Sequence, residues 1–94
     1  MGSIMLDLGA DVGAVVVRTP GGLNEEELQI EGIDSCGQQY RTHTVVRRRD
    51  VGGATVFAAV FPSVPAGHHA VWVDHGARIE IDVAGGQVTE VALG

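Results

Sequence analysis

His68–Val83, HHAVWVDHGARIEIDV, alternates with period two on both sides of a turn signal. In Arg78–Val83, Ile79, Ile81 and Val83 point one way, and Arg78, Glu80 and Asp82 the other. In the preceding run, His69, Val71, Val73 and His75 share one face, and His68, Ala70, Trp72 and Asp74 the other. Successive side chains on a strand point to opposite faces, so this pattern describes two strands, each with one face toward a core. A helix would need apolar residues at spacings of three and four.

The same period extends outward. Strands are expected near Ile4–Leu8, Ala14–Arg18, Glu27–Ile33, Tyr40–Arg48, Ala54–Phe61, His69–Asp74, Arg78–Val83 and Gln87–Leu93. Turn signals separate them at Gly9 to Gly13, Pro20-Gly21-Gly22, Asp34 to Gly37, Gly52-Gly53, Pro62 to Gly67, Asp74 to Gly76 and Gly85-Gly86. Ala54–Phe61 (ATVFAAVF) is almost continuously apolar and reads as a central strand or one covered on both sides. The weak helical candidate, Asn24–Leu28, is too short to be stable alone. Seven or eight short strands at this spacing give an all-β, antiparallel sandwich or barrel.

The chain has 94 residues, one domain spanning 1–94, with 45% apolar residues and a net charge of −6. Six arginines and no lysine face twelve acids, a balance that repels nucleic acid and anionic membranes. The four aromatics form no stacking platform. No apolar run approaches the roughly 20 residues of a membrane span. Cys36 is the single cysteine, so no intrachain disulfide forms. The N-terminus lacks a basic region and reaches acids at Asp7 and Asp11, unlike a signal peptide. A cytoplasmic location is expected, and Met1 to Ser3 could precede a native start at Met5.

Three of the four histidines fall in His68–Gly76. His69 and His75 share a face but are roughly 20 Å apart on an extended strand, too far to ligate one metal. His68 and His69 point to opposite faces. Structural or surface roles are therefore expected, with His69 as a hydrogen-bonded core residue. His75, Asp74 and His43 remain the candidates for acid–base or metal chemistry. On a continuous strand Arg41, Arg47 and Arg49 would share a face, a basic stripe able to bind phosphate or an acidic partner. The alternative is a charged strand edge that resists pairing. Cys36 has no base or cation near it in sequence, and Ser3, Ser35 and Ser63 lie in no G-x-S-x-G elbow. Glu25-Glu26-Glu27 lacks the alternate spacing of a calcium loop. No cofactor is implied.

Phe61-Pro62-Ser63-Val64-Pro65-Ala66-Gly67, then Val71-Trp72-Val73, then Ile79–Val83, Gly85-Gly86 and Val88-Thr89-Glu90-Val91 together resemble the closing strands of prealbumin-like, carboxypeptidase-regulatory-type modules. The chain as a whole resembles small bacterial proteins from high-GC genomes, some of which carry a phospholipase label. The resemblance implies an Ig-like sandwich, a turn at Pro65-Ala66-Gly67 and a hairpin at Gly85-Gly86. Where the family usually has Tyr, this chain has His69. The purine-pathway hydrolases of transthyretin-like fold end in Tyr-Arg-Gly-Ser, whereas this chain ends in Val91-Ala92-Leu93-Gly94. The expected role is a non-catalytic binding or protein-interaction module, with an unknown protein partner or a homodimer through an edge strand. The rival is a small hydrolase or metal-binding protein built on the His and Asp residues.

Overall fold

The computed structural model describes residues 11–74 and 76–93. The expected strand Ile4–Leu8 and the candidate His75 lie outside the described residues. Eight strands follow in chain order: β1 (Val12–Thr19), β2 (Glu27–Asp34), β3 (Gln39–Val45), β4 (Arg47–Val51), β5 (Ala54–Pro65), β6 (Gly67–Val73), β7 (Arg78–Val83) and β8 (Val88–Ala92). The described residues contain no α-helix; a single 3-10 turn covers Gly21–Leu23. The weak helical candidate is instead loop and the start of β2, because Leu28 and Ile30 are claimed by the core.

Two four-stranded sheets result, the first in the order β4-β5-β1-β8 and the second β3-β2-β6-β7. One core lies between them. Val15, Val17, Ala59 and Phe61 enter it from the first sheet, and Leu28, Ile30, Val71, Val73, Ile81 and Val83 from the second. Of the sandwich and the barrel that the alternation allowed, this is the sandwich: inward residues are apolar and mostly β-branched, the type that packs well on a pleated surface.

Four details differ from the expectations. The run expected as one strand, Tyr40–Arg48, divides at Val46, so β3 belongs to the second sheet and β4 to the first. Val46 is fully buried, and its backbone exchanges hydrogen bonds with the β1–β2 connection: its N–H donates to the Glu26 carbonyl, and its carbonyl accepts from Glu25 N–H. Burying that side chain pins the corner where the chain changes sheets.

Pro62 to Ser63, expected as turn, continues β5. Gly13 pairs with Val64 and Val15 with Phe61, so Pro62 and Ser63 together oppose Ala14 in a bulge. A bulge leaves a residue unpaired and tolerates a proline without an N–H. It also re-phases the strand, so that Phe61 and Val64, three apart, both face inward. The turn shrinks to Ala66, with Gly67 at φ +151° in close contact with the backbone of Ile33 and Asp34.

Gly85-Gly86 does not close a hairpin. β7 is in the second sheet and β8 in the first, so this segment crosses between sheets. Gly86 N–H donates to the Val12 carbonyl at 2.8 Å. Arriving by a crossover, β8 runs parallel to β1, the one departure from the expected antiparallel pairing. Gly52-Gly53 does close a hairpin, between β4 and β5; both residues have positive φ, as a two-residue primed turn requires.

Candidate functional site

The register of the second sheet places its outward side chains in rows. One row runs Ile33, His68, Asp82; the next Arg41, Glu31, Ala70, Glu80; the third His43, Gln29, Trp72, Arg78. Cross-strand neighbours on one face approach closely enough to interact, and here most do.

His68 occupies the centre of a carboxylate clamp. Its Nδ1 donates to Asp82 directly across the β6–β7 pair, and its Nε2 to Glu80 on the diagonal, both at 2.8 Å. Two acceptors on two ring nitrogens call for an imidazolium. The Asp82 hydrogen bond, then that of Glu80, raises the His68 pKa above its ordinary 6.5. Reciprocally, the His68 hydrogen bond holds the Glu80 carboxyl below 4.5. An imidazolium has no lone pair for a metal, and among the described residues no group of three His, Cys, Asp or Glu side chains is arranged to hold one.

Arg41 stacks over the half-buried Trp72, guanidinium carbon to ring centroid 5.9 Å. His43 Nε2 lies 3.6 Å from Glu27, which also accepts from Gln29 at 2.7 Å. Between the rows, Ala70 is small enough to leave a hollow of about 220 Å³, rimmed by Glu31, Ile33, His68, Arg78 and Glu80.

The candidates from sequence are dispersed. His43 lies on β3, Asp74 just beyond β6, and Arg41 on the outer face of the second sheet. Arg47 and Arg49 pair with Ala58 and Val56 on the first sheet. The single stripe of Arg41, Arg47 and Arg49 does not form, because the strand changes sheets at Val46 and the two groups end on opposite sides of the sandwich.

On the inner side, His69 is 1% exposed. Its Nε2–H donates to the Pro65 carbonyl at 2.8 Å, and its Nδ1 is buried with no partner among the described residues. Its ring meets Tyr40 edge-on, with centroids 5.8 Å apart. Tyr40 in turn donates its hydroxyl to the Ser63 carbonyl on β5, at 3.1 Å. Partial burial raises the phenol pKa and keeps it a donor. Tyr40 thereby ties the edge of the second sheet to the bulge in the first, beside a groove of about 200 Å³ lined also by Thr42, Thr44 and Phe61.

The outer face of the first sheet has a different character. The central strands β1 and β5 present Val16, Val56, Ala58 and Val60 outward, and among the described residues no element lies over them. Arg18, Arg47 and Arg49 frame these residues. Val51 and Val88, 62% and 55% exposed, extend the apolar surface to the edges. Arg18 reaches Glu90 at 3.4 Å; Arg47 and Arg49 make no ion pair among the described residues.

Reading from the sequence missed Glu80 and Asp82 as partners of His68, and this outward apolar face. The hairpin register carried the first signal, and the double-sided apolar run of Ala54–Phe61 the second. No protein-family model, curated protein or solved structure matches the chain.

Proposed function

We propose that the chain is a non-catalytic protein-interaction module that meets its partner through the outer face of the first sheet. One observation carries this reading: on the outer face of two central strands the half-buried Val16, Val56 and Val60 surround the buried Ala58, framed by Arg18, Arg47 and Arg49. Aliphatic surface supplies the burial and the arginines select a partner with acidic groups, a usual division of labour at interfaces. The prealbumin-type, Ig-like reading of the fold belongs to the same proposal. It is supported by two four-stranded sheets between which the chain crosses repeatedly, at β1–β2, β3–β4, β5–β6 and β7–β8. A reducing, cytoplasmic setting fits the single exposed Cys36.

A photo-reactive residue in place of Val56 tests the reading in the producing cell. A discrete cross-linked species is expected from position 56, absent from Gln38 in the β2–β3 turn and lost with Arg47→Glu/Arg49→Glu. Equal cross-linking from both positions sinks it. The rival hydrolase, built on His43, Asp74 and His75, is tested with a lipid-ester substrate. Turnover by the wild type that is lost in His75→Ala establishes it in place of the binding module.

A further inference from the structure

We infer that the partner is a second copy of this chain, stacked so that the outer face of one copy's first sheet covers the outer face of the next copy's second sheet. The inference rests on the reading of the first-sheet face as a binding surface and names its occupant.

The two outer faces carry opposite charge. On the first sheet, Arg18, Arg47 and Arg49 stand against Glu90 alone. On the second, the four acids Glu27, Glu31, Glu80 and Asp82 outnumber Arg41, Arg78 and the His68 imidazolium by one. Arg47 and Arg49 on the first face and Glu31 on the second are opposite in sign and make no ion pair among the described residues; on the second face Arg41, stacked on Trp72, and Arg78, beside Glu80, make none either. Glu31 borders the hollow over Ala70, whose about 220 Å³ admits a side chain from above. The exposed Ile33, at 46%, stands beside that hollow as an apolar contact for the valines.

Size and screening permit the contact. The sandwich measures 38 × 37 × 15 Å, so each broad face exceeds the roughly 800 Å² per partner of a standard interface. Each copy carries a net −6, which opposes association at long range. At 0.1 M salt the screening length is about 10 Å, shorter than the sandwich is thick, so the touching faces outweigh the distant charges. The two surfaces differ, so the contact is head-to-tail. It closes into a ring or grows as a stack, and does not stop at an isologous dimer.

Sedimentation velocity at 0.1 M salt tests this with the whole chain. The wild type is expected to gain mass with concentration past the dimer, with association weakened about tenfold or more at 1 M salt, where screening falls to about 3 Å. Arg47→Glu/Arg49→Glu and Glu31→Arg/Glu80→Arg should each be monomeric, with circular dichroism showing a folded chain. Mixing the two should restore association, because each then offers the sign the other lacks. A wild type that stays monomeric to millimolar concentration overturns the inference, as do reversed variants that associate like wild type or folded, monomeric variants that fail to combine. If the wild type is monomeric while Val56 still cross-links to a different protein, the self-stacking fails and the binding face stands. If Val56 gives no adduct as well, both fail.

Discussion

The imidazole of His69 occupies the space that a side chain at Gly32 would fill: a Cβ on Gly32 would overlap His69 Nδ1, as well as the backbone of His68 and His69. Gly32 and His69 are direct cross-strand partners on β2 and β6, with Tyr40 across the other side of Gly32. The missing side chain lets an aromatic ring lie across the strand, the arrangement by which an aromatic neighbour compensates a glycine in a sheet.

Gly32→Ala should therefore destabilise the protein by about 1–3 kcal/mol, the range for overpacking a filled site. Adding His69→Ala should not restore stability, because the overlap with the β6 backbone persists. Urea unfolding of the wild type and these two variants checks both statements.

His69→Phe keeps an aromatic ring but removes the donor to the partly buried Pro65 carbonyl. Leaving a buried acceptor unpaired costs about 1–3 kcal/mol, and this partly buried one should fall toward the lower end of that range. Tyr40→Phe, whose hydroxyl is nearer solvent, should cost about 0.5–1.5 kcal/mol. Thermal and urea unfolding should rank His69→Phe as the more damaging; the reverse order would mean that the Ser63 contact holds the corner.

The His68 clamp gives stability a pH window. The raised His68 pKa makes its contribution full below 6.5 and lost as pH rises through the folded value. The lowered Glu80 pKa makes its contribution full above 4.5 and lost as pH falls through its folded value. Both are present between those limits. The Tm difference between wild type and His68→Ala should peak at about pH 5–6 and vanish in alkali. A difference that grows toward alkaline pH would show that His68 is not held as an imidazolium. Screening at this exposed site also predicts that 1 M salt shrinks the peak.

Arg41 and Trp72 offer an optical check of the register of the second sheet. A double-mutant cycle with Arg41→Ala and Trp72→Leu should return a coupling of about 0.5–1 kcal/mol. Trp72 is the only tryptophan, so Arg41→Ala should also change its fluorescence. A zero coupling would place Arg41 away from the ring.

Among the described residues, local apolar patterning and turn signals determined most of the strands and most inward side chains. Arg78–Val83 is a strand within the predicted bounds, and His69 points inward to a hydrogen-bonded place in the core. Tertiary structure decided which strands pair. It divided Tyr40–Arg48 at Val46, carried β5 through Pro62 by a bulge opposite Ala14, and sent Gly85-Gly86 between sheets. It thereby parted Arg41 from Arg47 and Arg49, and brought Glu80 and Asp82 onto His68. The reason is physical. Which way a side chain points follows from its own backbone, within a few residues. Which neighbour it meets depends on backbone hydrogen bonds between segments far apart in the chain, and a single buried residue such as Val46 can redirect those.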